Sequence, residues 1–210
     1  AFPKIRYSRH AENLGASKNW LHVFSLARGE YFMWAAHDDL WDVNFVSEIM
    51  NGMLSDPDFT TGFCQLDEFW HEPTNKLKTK FREPPPFSPM ASRSENQVMY
   101  FAQPCPWMIY GIHKTAAMRS IVDSEPDLDA TSYFFDYRAM FALLGIGKPY
   151  VVRKILFHSG RTKTQYSLSF KRMPLFQTLI SVSRLFAKLF PTIAFSGSAT
   201  LRERCQMFRY

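Results

Sequence analysis

From Gly29 to Trp41 the chain reads Gly-Glu-Tyr-Phe-Met-Trp-Ala-Ala-His-Asp-Asp-Leu-Trp, an apolar run that ends abruptly in two adjacent carboxylates. The pattern predicts a strand over Tyr31 to Ala36 that opens into a loop at Asp38 and Asp39. Upstream, Lys4 to Tyr7 reads as a short strand. Ser17 offers an N-cap for a helix over Lys18 to Ala27, with Trp20, Leu21, Phe24 and Leu26 as apolar surface and Gly29 closing it. Downstream, Phe45, Val46, Ile49, Met50 and Met53 recur at helical spacing until Asp56-Pro57-Asp58 stops them. Thr60 to Leu66 reads as the next strand. Strands alternating with helices of this length predict a layered α/β domain with a largely parallel sheet.

The pattern fails between Arg82 and Pro106, where six of the thirteen prolines fall. Proline fixes φ and removes a backbone donor, so this window reads as a long loop, either a lid or a surface insertion. Order resumes as a strand over Trp107 to Ile112 and a helix around Ala116 to Val122. A further helix over Tyr133 to Leu144 ends near Gly145 and Gly147, and strand-like pieces follow at Tyr150–Val152 and Ile155–Phe157. Beyond residue 170, Leu175, Leu179, Val182, Phe186 and Leu189 recur every three to four residues, flanked by Arg184 and Lys188. This is an amphipathic helical pattern, suited to packing on its own domain or a sister subunit, or to an anionic membrane surface.

Composition narrows the class. With 46% hydrophobic and 16% aromatic residues, 210 residues can bury one substantial core. Cys64, Cys105 and Cys205 are odd in number and widely spaced, which supports neither a disulfide framework nor a zinc knuckle and fits a reducing, cytoplasmic setting. The net charge of +6 lies entirely beyond residue 170, where seven basic residues face Glu203 alone. Those basic residues are interrupted by apolar ones and no recognition motif accompanies them, so nucleic acid is not an expected partner. No run reaches the roughly 20 apolar residues of a spanning helix. The organisation expected is a domain over 1–170 and a basic amphipathic tail over 171–210.

Two acids at a strand end are costly to bury unless a cation or a helix N-terminus is near. Asp38 and Asp39 therefore read either as a metal-and-phosphate site or as caps for the helix starting near Asn44.

Six fragments, in order, now resemble the family 2 glycosyltransferases of the GT-A fold. They are Glu12-Asn13-Leu14-Gly15, Ala27-Arg28-Gly29-Glu30-Tyr31, His37-Asp38-Asp39-Leu40-Trp41, Ser55-Asp56-Pro57-Asp58, the stretch from Tyr110 to Met118, and Phe135-Asp136-Tyr137. The resemblance implies a mixed, mainly parallel GT-A sheet flanked by helices and an inverting transfer of sugar from a nucleotide-diphosphate donor to a saccharide or lipid-linked acceptor. It places the family's opening strand–helix–strand unit before Ala1, so that the chain is expected to be N-terminally truncated, a fragment whose sites serve the complete protein.

The same resemblance implies roles for residues. A Mn2+ or Mg2+ ion would neutralise the departing diphosphate, and hard oxygen ligands suit either ion. The family's metal contact falls on Asp38, while its partner position is Ala36, which leaves Asp39 or His37 to supply the missing group. Asp136 matches the base that takes the acceptor proton, with Asp129 as the fallback; it equally reads as a helix-starting acid. Gly160, Arg161 and Lys163 resemble the loop that folds over the diphosphate, or form an ordinary basic turn. His158 is a further candidate ligand or a structural histidine. The expected setting is cell-surface polysaccharide or glycolipid synthesis at the inner face of the membrane. The alternative, motivated by Ala36, is a catalytically silent binding module on the same fold.

Overall fold

The structure, a computed structural model, describes residues 6–71, 77–88, 90–125 and 135–160. Asp129, Arg161, Lys163 and the tail over 171–210 lie outside these residues. The first helix, α1 (Ala16–Ser25), starts after Gly15, whose φ of 79° is a left-handed conformation that other residues adopt only with strain. Ser17, expected as the cap, lies inside the helix and is buried. Helix α1 and β1 (Tyr31–Phe32) are tied where Trp34 Nε1 donates to the Trp20 carbonyl at 3.1 Å. The strand expected to reach Ala36 stops at Phe32, because Trp34 turns into an aromatic cluster with Phe24, Phe32 and Trp20. Arg6 and Tyr7 are exposed and belong to no strand.

Strand β2 (Leu40–Trp41) leads into α2 (Phe45–Met53), which buries Phe45, Ile49 and Met53. Gly62 of β3 (Phe59–His71) lets this helix lie on the sheet: a Cβ there would stand 2.4 Å from Ile49 Cγ2 and 2.6 Å from Met53 Sδ. Strand β4 (Leu77–Arg82) returns antiparallel to β3. Then come α3 (Arg93–Ala102), a 3-10 turn (Pro106–Tyr110), β5 (Ile112–Lys114), α4 (Thr115–Ser124), α5 (Phe135–Ile146) and β6 (Lys148–Gly160).

The sheet order is β1-β5-β3-β6-β2, with β4 also paired to β3. The mixed sheet flanked by helices is the expected one, but its parallel pairing is confined to β3 and β6, from Phe59↔Lys148 to Phe69↔Gly160. The other four pairings are antiparallel. The two strand pieces expected around residues 150–157 are one long strand.

The largest departure is α3, which lies inside the window expected to be loop. A capping box starts it: Ser92 Oγ accepts from the Glu95 N–H, and Glu95 Oε2 accepts from the Ser92 N–H at 2.7 Å. Trp107 to Tyr110, expected as strand, form the 3-10 turn. Two elements from the middle of the chain anchor it internally. Helix α5 packs on β3, β6 and the 3-10 turn, and α3 packs on α5. His113 is fully buried, with Nε2 facing the Ile109 carbonyl and Nδ1 2.9 Å from the Thr61 hydroxyl. Burial pulls it down to about 4, so it is a neutral structural histidine.

Candidate active site

Asp38 and Asp39 occupy the turn just before β2, and the register of β2 against β6 sets Leu40 opposite His158. That pairing brings the end of β6 alongside the two acids. Asp39 Oδ1 accepts the Gly160 N–H at 2.9 Å, and its carboxylate also receives the Ser159 side chain. Asp39 is only 7% exposed. Loss of water raises its carboxyl to about 6; the Gly160 and Ser159 hydrogen bonds oppose the rise, Asp38 adds to it and His37 lessens it. Gly160 is required by close approach, since a Cβ there would lie 2.1 Å from the Asp38 carbonyl oxygen.

Asp38 differs from its neighbour. Its side chain is 28% exposed, and among the described residues it has His37 Nδ1 at 3.9 Å as an ionic partner. His158, the further candidate ligand, stands opposite Leu40 with its Nδ1 4.0 Å from Asp67 Oδ2, across the β3–β6 pairing. Among the described residues no three His, Cys, Asp or Glu side chains form a group able to hold a metal ion. Among the described residues the Asp38 carboxylate is the more open of the two adjacent acids, an exposure that suits a hard oxygen ligand. Asp39 has its oxygen occupied, and His158 faces Asp67.

Asp136 stands in the first turn of α5, its Oδ1 accepting the Tyr137 N–H at 2.9 Å. Burial raises this carboxyl to about 6, opposed by backbone hydrogen bonds at the head of the helix. Phe135 before it is fully buried, 5.1 Å from the Trp20 ring. Arg138, two residues further into the helix, is paired with Glu125 at 2.9 Å.

A row of rings joins the two acidic regions. Trp41 of β2 contacts Phe157 of β6, Phe157 contacts Tyr110, Tyr110 contacts Trp20, and Trp20 contacts Phe135 beside Asp136. Trp41, Tyr110 and Trp20 are half-buried, whereas Phe157 and Phe135 are fully buried. Sequence reasoning missed Glu68, a fully buried carboxylate held by Arg82 Nε at 2.8 Å, with Arg82 stacked 5.6 Å over Trp107. It also missed Tyr100 and Asn96 of α3. The capping box Ser92-x-x-Glu95 was the signal that could have revealed their helix. A separate cleft of about 220 Å³ between Pro84, Pro85, Phe87 and Tyr150 contains none of the three aspartates.

The candidate site thus lies on a mixed sheet flanked by helices, with Asp38 and Asp39 just before β2 and the desolvated Asp136 in the first turn of α5. Residues 1–111 match the model of glycosyl transferase family 2, and the chain belongs to that family. It is a glycosyltransferase, and membership implies binding of a nucleotide-sugar donor and an acceptor. The match includes Asp38 and Asp39 and stops before Asp136, His158 and Gly160. No curated protein matches the chain. None of the described helices is long and apolar enough to cross a membrane.

Proposed function

We propose that this protein transfers a sugar, with inversion, from a nucleoside-diphosphate donor to a saccharide or lipid-linked acceptor, with Asp136 as the base. In this reading the acceptor oxygen attacks the anomeric carbon while the bond from that carbon to the diphosphate breaks, and the acceptor proton passes to the Asp136 carboxylate. The observation that carries it is the burial of Asp136 at the head of α5: a carboxyl raised to about 6 is ionised at neutral pH yet basic enough to accept a proton in the transition state. The ring surface of Trp41, Tyr110 and Trp20 offers apolar walls between the two acids, against which sugar rings can lie.

Asp38 would hold Mn2+ or Mg2+, with the donor's phosphates completing the coordination. Such an ion supplies neutralisation of the charge that gathers on the leaving diphosphate. Asp39 acts differently: it fixes the Gly160 backbone beside Asp38, and the candidate phosphate contacts Arg161 and Lys163 follow Gly160 in the sequence. The basic, amphipathic sequence beyond residue 170 suits an anionic membrane surface, in keeping with cell-envelope polysaccharide or glycolipid synthesis at the inner leaflet.

Ala36 in place of a second carboxylate supports the rival reading, a silent binding module. Thermal protection by nucleoside diphosphates separates the two. The enzyme reading expects a rise in melting temperature with UDP, GDP or dTDP plus Mn2+, abolished in Asp38→Asn. No shift with any of the three would refute it.

A further inference from the structure

Helix α3 carries two buried polar side chains with nothing to bond. The Tyr100 hydroxyl and both amide atoms of Asn96 are buried and have no hydrogen-bond partner. They lie four residues apart, hence on one face of the helix. Such groups are rare in native proteins because each forfeits its hydrogen bonds to water, and they call for a reason. The capping box fixes where α3 starts, and Gln97 Nε2 fixes how it lies on α5 by donating to the Phe141 carbonyl at 2.9 Å. With that anchor, the Tyr100 ring lies 6.4 Å from the ring of Tyr137, the residue next to Asp136. Since Phe141 is one turn beyond Tyr137, and Gln97 one turn before Tyr100, the helices run antiparallel here and the end of α3 meets the start of α5.

We infer that Tyr100 is a positioning residue for Asp136, its hydroxyl turning onto the carboxylate once that carboxylate is charged and holding it ready for the acceptor proton. The inference rests on Asp136 serving as the base. It explains why a phenol is kept where phenylalanine would pack as well at no polar cost. Among the described residues the Tyr100 hydroxyl is placed to answer the charge: Cys105, which also borders Tyr100 and Tyr137, is raised to about 12 by burial and stays a neutral, weak donor, while Arg138 is paired with Glu125. Tyr100 itself is raised well above the ordinary tyrosine value, by burial first and then by the Asp136 charge, so its proton remains available to donate.

The test is a double-mutant cycle in the full chain: melting temperature against pH from 4 to 8 for wild type, Tyr100→Phe, Asp136→Asn and the double variant. At pH 4, where Asp136 is protonated, Tyr100→Phe should equal or exceed wild type, because it deletes an unbonded hydroxyl. Above pH 7 it should fall below wild type by about 3–5 °C, matching a rise of about one unit in the Asp136 titration. In the Asp136→Asn background the gap should vanish. A loss of the same size at every pH, or a gap that survives in Asp136→Asn, would overturn the inference. Donor hydrolysis reads the underlying assignment separately: if Asp136→Asn still releases nucleoside diphosphate at the wild-type rate, Asp136 is not the base even where the cycle shows the pair.

Discussion

Asp39 and Asp136 are raised to about the same value, near 6, and by the same first cause, loss of water. Their surroundings part them. Asp39 is met by the Gly160 N–H and the Ser159 side chain, which tie the start of β2 to the end of β6. Among the described residues Asp136 receives backbone N–H groups at the head of its helix, and the neighbouring phenol of Tyr100 has no hydrogen-bond partner. A buried acid whose donors are fixed holds structure in place; one with a spare donor nearby and few bonds of its own is set to exchange a proton. A perturbed pKa therefore nominates both residues, and only the hydrogen-bond inventory tells them apart.

Asp136→Asn should break the comparison most sharply. Asp136 holds its proton up to about 6 in the fold against 3.8 unfolded, so its contribution to stability is full below about pH 4 and is lost as pH rises through 6. Removing the charge should flatten that fall and leave the variant more stable than wild type at pH 7.5, by up to about 3 kcal/mol, in urea unfolding. Asp39→Ala strands the Gly160 N–H and the Ser159 hydroxyl, and should lose about 1–3 kcal/mol at pH 4, where the wild-type carboxyl is protonated, a deficit that shrinks towards pH 7.5 as the wild type comes to bear the buried charge. Smallest is Ser92→Ala, which removes the cap of α3 for about 1 kcal/mol and should raise hydrogen exchange across Arg93–Ala102 while the β2–β6 corner stays protected.

The parts of the fold that were legible in the sequence are those whose apolar side chains face inward. Helix α2 was found within a residue because Phe45, Ile49 and Met53 are both apolar and buried. Helix α3 was hidden for the opposite reason: it buries Asn96, Gln97 and Tyr100, so its inward face carries no hydrophobic period, and the prolines around it weighed towards loop. Strand β4 escaped notice because it is mostly exposed, a margin strand without a buried face to show alternation. At the site, Asp38, Asp39 and Asp136 could be named from their places in an ordered set of motifs. That Asp39 faces inward to Gly160, and that His158 pairs with Asp67 rather than with Asp38, depends on the register of β6 between β2 and β3, which no local pattern encodes.

The most direct test of Asp136 as the base is the pH dependence of nucleoside diphosphate release from a nucleotide sugar, in wild type and Asp136→Asn at equal protein concentration. The expected wild-type profile has an acidic limb near pH 6. In Asp136→Asn the limb should disappear and the plateau should drop by about a hundredfold or more. A variant that keeps both the limb and the plateau would contradict it.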